Sequence, residues 1–155
     1  MLYQIDKRIK ATLRDDECYA FTVLKIFEDH SKYQFTPKDV MTVITIAEEA
    51  GYMGEKNNPE SGFMNKNAVS GIATICSGYT GIHVYMKQVT NQEKYNHVIA
   101  EFLRTEGNKK FTHFPEVSME NMVDVIYDPY SPNGSRTVRE GKIIGYRYIY
   151  AERLY

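Results

Sequence analysis

The spacing of the apolar residues changes near residue 80. Before that point they recur every three to four positions, the period of a helix with a buried face, whereas afterwards they alternate or run in short blocks, as strands do. Between Tyr19 and Phe27, the residues Phe21, Val23, Leu24, Ile26 and Phe27 cover most of a helical circumference. That predicts a largely buried, central helix. Thr36-Pro37-Lys38-Asp39 reads as an N-cap, a proline at the first helical position and an acid at the third; Val40, Ile44 and Ala47 follow and Gly51 stops the helix. A third, shorter helix is predicted from about Lys66 to Cys76, with Val69, Ile72, Ile75 and Cys76 on one side and Gly78 ending it. Met53 to Met64 holds Asn57-Asn58-Pro59 and no periodicity, so it reads as a loop.

Five strands are predicted in the second half: Gly81 to Val89, Val98 to Arg104, Lys110 to Val117, Met122 to Tyr127 and Lys142 to Tyr150. Thr105-Glu106-Gly107-Asn108 supplies hairpin chemistry, while Asp128-Pro129 and Ser131-Pro132-Asn133-Gly134 interrupt the chain before the last strand. The charged stretch from Arg136 to Lys142 reads as a polar hairpin turn. Pro115 lacks a ladder N–H, which predicts an edge or a bulge in its strand. The pattern is that of an α+β domain spanning residues 1–155, with N-terminal helices packed on a C-terminal antiparallel sheet. The thirteen tyrosines fit a pleated surface and argue structure before function.

Composition narrows the partners. Nineteen basic residues against twenty acidic ones give a net charge of −1, and no Lys/Arg-rich run occurs, so nucleic acid is not an expected partner. No apolar stretch reaches membrane-spanning length, and Met1 to Lys7 lacks a signal-peptide pattern, which predicts a cytoplasmic protein with no membrane partner. The two cysteines, Cys18 and Cys76, are expected to be reduced; they have no zinc-site clustering, and no metal or cofactor is expected.

Cys18 follows Asp15-Asp16-Glu17 and opens the first apolar helix, so it is expected at a helix N-terminus. There the helix dipole and free N–H groups favour a thiolate, whereas the three acids oppose it. Activation therefore needs a histidine. His113 and then Asp128 follow far downstream, the order of a Cys-His-acid triad assembled by folding. Cysteine is also one of the most buried residue types, and an inert core thiol is the simplest alternative. His83 reads as a sheet histidine, His30 and His97 as surface residues, and Asp124 as solvated.

Helices first, a cysteine on the central helix, then a sheet carrying His and Asp: this layout resembles the papain-like cysteine peptidases. Gln4-Ile5-Asp6, Cys18, His113-Phe114 and Asp128-Pro129-Tyr130 occur in the order seen in a compact bacterial branch related to the bacteriocin-processing (double-glycine leader) peptidases. The tail from Ser135 to Lys142 and the Tyr/Arg strand after it resemble the ending of small members of that branch. The resemblance implies a papain-like fold with Cys18 as nucleophile, His113 as general base and then acid, Asp128 as the group orienting it, and Gln4 as an oxyanion donor. Tyr19 and Tyr130 are expected to line the substrate cleft. Active relatives usually carry glycine beside the cysteine, whereas Glu17 and Tyr19 flank Cys18 and are expected to narrow the cleft. The implied activity is thiol hydrolysis of a peptide or related amide, with a peptide or protein as substrate. A silent papain-like module that binds a peptide or protein partner is the alternative, and acyl transfer to an amine would use the same triad.

Overall fold

The computed structural model describes residues 1–9, 18–53 and 67–155. The Asp15-Asp16-Glu17 run, nearly all of the predicted loop from Met53 to Met64, and Lys66 lie outside the described residues. Three helices come first: α1 (Cys18–Ser31), α2 (Pro37–Glu49) and α3 (Ala68–Thr80). They are followed by β1 (Val84–Val89), β2 (His97–Glu106), β3 (Lys109–His113), β4 (Glu116–Val117) and β5 (Val125–Tyr127), then a short helix α4 (Arg136–Glu140) and a long strand β6 (Lys142–Arg153). The fold is α+β, helices then an antiparallel sheet.

Local chemistry sets the helix ends. The Thr36 hydroxyl accepts from Asp39 N–H while the Asp39 carboxylate accepts from Thr36 N–H, a reciprocal capping box that satisfies two otherwise orphaned donors. Helix α3 runs past Gly78, the expected stop, because the left-handed conformation that ends it is taken by Gly81 (φ 76°). The stretch read as a polar hairpin turn is instead α4. Its N-cap is Ser135, whose hydroxyl accepts from Val138 N–H at 3.3 Å.

The six strands form one sheet in the order β1-β6-β2-β4-β5, with β3 beside β2 in line with β4. Gly107 (φ 59°) takes the first position of the two-residue β2–β3 loop, which closes on the Glu106–Lys109 pair. Phe102 faces His113 and Ile99 faces Glu116, so β3 and β4 share one register along β2. Only the ladder is interrupted, at Phe114-Pro115. Pro115 cannot donate, yet its carbonyl accepts from Ala100 N–H at 3.0 Å and holds the strand in line.

Hydrophobic burial fixes α1 against this sheet. Eleven of its fourteen residues are buried, and Phe21, Val23, Leu24, Ile26 and Phe27 are fully so, packed with Ile99, Phe114, Met86 and Ile149 of the sheet. Each such side chain contributes about 1.5–3 kcal/mol on leaving water, which makes α1 a rigid platform rather than a surface helix. A second, smaller cluster of Val98, Ala100, Phe102 and Val117 is covered by Tyr95, Met122, Val138 and Tyr146. Among the described residues, no helix is long and apolar enough to cross a membrane.

Candidate functional site

The first described residue of α1 is Cys18, buried at 8 % exposure. His113 ends β3, and Cys18 is one of the groups that act on its imidazole. The ring Nε2 meets Asp128 Oδ1 at 2.6 Å. With Nε2 engaged by the carboxylate, Nδ1 is the ring nitrogen left to serve the sulfur. The structure thus brings Cys18, His113 and Asp128 together in that order, across residues far apart in the chain.

Asp128 is held by its own turn. Tyr130 N–H donates to Asp128 Oδ1 at 2.9 Å, the short-range bond an aspartate makes two residues ahead. The N-terminal segment then buttresses this turn: Gln4 N–H donates to the Pro129 carbonyl at 2.7 Å, Ile5 N–H to the Tyr130 carbonyl at 3.2 Å, and Tyr127 Oη to the Leu2 carbonyl at 2.8 Å. Gln4 is buried beside the Asp128 turn by these bonds. Tyr130 is about half exposed on the same turn, where a cavity of about 320 Å³ opens, lined in part by Tyr3, Ile126, Asp128 and Arg139.

The electrostatics follow from the contacts. Burial opposes a charge on His113, but the hydrogen bonds to Asp128 and Cys18 outweigh it and raise the imidazole from 6.5 to about 9. Burial likewise opposes a charge on Asp128, yet the His113 contact and the Tyr130 N–H hold its carboxyl below the ordinary value. A protonated imidazole beside the Asp128 carboxylate is the state these contacts favour. Cys76 differs in kind: it is fully buried in the core, and burial alone pushes its thiol up.

Tyr19 does not line a cleft. It is 2 % exposed, its ring lies 5.2 Å from that of Phe114, and its hydroxyl donates to Gln88 Oε1 at 3.4 Å. Position 19 falls on the core-facing side of a helix that is buried nearly all round, so the bulk beside Cys18 packs inward. Glu17 lies outside the described residues. His83 sits just before β1, exchanging backbone bonds with Leu154 and Tyr155, and Asp124 is exposed.

His30 and His97, expected at the surface, are half-buried and bonded to each other. Their Nε2 atoms meet at 2.8 Å, His97 Nδ1 meets Glu116 Oε2 at 2.7 Å, and Lys25 Nζ donates to Glu116 Oε1 at 2.9 Å. Glu116 is 2 % exposed. With ring centroids 5.0 Å apart, the two nitrogens point at each other, so one ring donates to the other. Among the described residues, no group of three or more His, Cys, Asp or Glu side chains is placed to hold a metal ion. Sequence reasoning also passed over Thr22 and Lys25. Their signal was a polar stripe, Cys18, Thr22, Lys25 and Asp29, spaced four, three and four residues along an otherwise apolar helix.

No family model, curated protein or solved structure matches the chain.

Proposed function

We propose that the chain is a thiol hydrolase of papain-like type, cleaving a peptide or related amide bond through an acyl-enzyme intermediate. The observation that carries this reading is the imidazole of His113 held between the Cys18 thiol and the Asp128 carboxylate. In the first step the Cys18 sulfur, as thiolate, forms a bond to the substrate carbonyl carbon. The imidazolium then gives its Nδ1 proton to the departing amine as the C–N bond breaks, leaving a thioester. In the second step neutral His113 takes a proton from water, the hydroxide adds to the thioester carbon, and the C–S bond breaks to release the acid and restore the thiolate–imidazolium pair. Asp128 fixes the tautomer and ring orientation and stabilises the imidazolium throughout. Gln4, held beside the Asp128 turn, is the proposed side-chain donor to the oxyanion, together with the Cys18 N–H. Tyr130, exposed on that turn, is the proposed cleft residue.

The burial of both Cys18 and His113 favours a second reading, a peptide-binding module whose groove is too narrow for turnover. One experiment separates them. The protein and its Cys18→Ala variant are incubated with a mixed-sequence peptide library, and products are read by mass spectrometry. Cleavage by the wild type that Cys18→Ala abolishes supports the hydrolase. Saturable peptide binding, equal in the two proteins and without cleavage, supports the module.

A further inference from the structure

One buried hydroxyl bonds the nucleophile helix directly to the strand bearing the base. Thr22 is fully buried on α1, one turn beyond Cys18. Its Oγ1 lies 2.7 Å from the Phe114 carbonyl oxygen and 3.2 Å from the Cys18 carbonyl oxygen. Phe114 directly follows His113. A single side-chain atom therefore touches the backbone of the cysteine and the backbone next to the histidine, and no other hydrogen bond described between α1 and this strand reaches both.

A hydroxyl has one proton and two acceptors to serve. The shorter contact identifies the Phe114 carbonyl as the main recipient, with the Cys18 carbonyl as the weaker arm of a shared bond. Phe114 stands at the break between β3 and β4. Other contacts dock the same helix: Lys25 on Glu116 farther along, and the Tyr19 ring on Phe114. These hold the helix on the strand at other points along it.

We infer that Thr22 is a positioning residue for the proposed thiol chemistry: its hydroxyl sets the distance between the Cys18 sulfur and the His113 imidazole and so the fraction of thiol held as thiolate. This inference rests on the Cys18–His113 reading and extends it to a residue that touches no substrate. The opposing possibility is that Thr22 only satisfies a buried carbonyl and that removing its hydroxyl lowers stability without changing the pair.

The test is the pH profile of Cys18 alkylation by iodoacetamide from pH 5 to 9, followed by intact mass in the full chain, with Cys76 as internal reference. Four proteins are compared: wild type, Thr22→Ser, Thr22→Val and Thr22→Ala, each checked for folding by circular dichroism. Thr22→Ser keeps the hydroxyl and is expected to follow the wild-type profile. Thr22→Val keeps the shape without the proton and is expected to lose about tenfold in rate at pH 6, because a pKa change of one unit changes the thiolate fraction tenfold. If Thr22→Val does not fold, the comparison of Thr22→Ala with Thr22→Ser isolates the same hydroxyl. Hydroxyl-free variants that alkylate with the wild-type profile would overturn the role of Thr22 while leaving the reactive pair intact. A wild-type Cys18 no more reactive than Cys76 would overturn the pair and the role of Thr22 with it.

Discussion

At the scale of the residue, His113 is central because it answers to two partners at once. Its burial should make the charged ring unfavourable, and it does not, since Asp128 at 2.6 Å and Cys18 both favour the imidazolium. Removing the Asp128 charge should show how the effect divides. Asp128→Asn keeps the shape and a hydrogen-bonding group but loses the charge, so the His113 pKa should fall from about 9 towards 6.5. Titration of the His113 ring by NMR in the two proteins checks it, and an unchanged value would assign the whole rise to Cys18. The His113–Asp128 contact was legible in the sequence as a chain order: a cysteine opening an apolar helix, a histidine ending a strand, an aspartate before a proline. Tyr19 was misread for the opposite reason. Proximity to the nucleophile in sequence says nothing about which way a helical side chain points, and position 19 points into the core.

Among the elements, α1 and the strand from His113 to Val117 form the working unit. The helix lays Cys18, Thr22 and Lys25 along it, meeting the His113 ring, the Phe114 carbonyl and the Glu116 carboxylate in turn. Glu116 is the costly member, a carboxylate at 2 % exposure that is tolerable only with Lys25 and His97 in place. Glu116→Ala removes one partner from Lys25, which keeps Asp29 at 2.7 Å, and one from His97, which keeps His30 at 2.8 Å, and should lower stability by about 1–3 kcal/mol. Denaturant unfolding reads this as a lower midpoint with an unchanged slope; a midpoint within error of wild type would mean that the network contributes nothing net. Much of this layer was readable in advance. The capping box at Thr36 and Asp39 was legible because it is local chemistry. The join of β3 and β4 into one line was not, since Pro115 signals a break while the register across β2 is set by residues some fifteen positions away. Helix α3 overshot its expected end because Gly78 and Gly81 are equally plausible stops by residue type, and only the backbone angle of Gly81 decides between them.

Over the whole molecule, the two histidine sites give stability an opposite dependence on pH. His113 has a folded-state pKa above its unfolded value, so its contribution is fully present below 6.5 and lost as pH rises through about 9. The interval corresponds to roughly 3 kcal/mol. His30 behaves the other way: burial, and then the charge of His97, lowers its pKa below 6.5, so the folded chain binds fewer protons than the unfolded one and loses stability as pH falls below 6.5. Asp29 and Glu116 oppose that lowering and Lys32 adds to it, without reversing it. Thermal unfolding across pH 5 to 10 should therefore show a maximum near neutrality, with His113→Gln flattening the alkaline limb and His30→Gln the acid limb. An acid limb unchanged by His30→Gln would mean that the His30–His97 pair does not titrate in that range. This pairing left no trace in the sequence: His30 closes a helix, His97 opens a strand, and only the docking of α1 on the sheet makes them neighbours. The central claim is that the same docking turns an otherwise inert core thiol into a nucleophile. It is tested most directly by labelling with iodoacetamide at pH 6, in wild type and in His113→Ala, with the two cysteines resolved by mass spectrometry. The account predicts Cys18 labelling at least about tenfold faster than Cys76, and the loss of that advantage in His113→Ala. Equal, slow labelling of both cysteines, unchanged by His113→Ala, would contradict it.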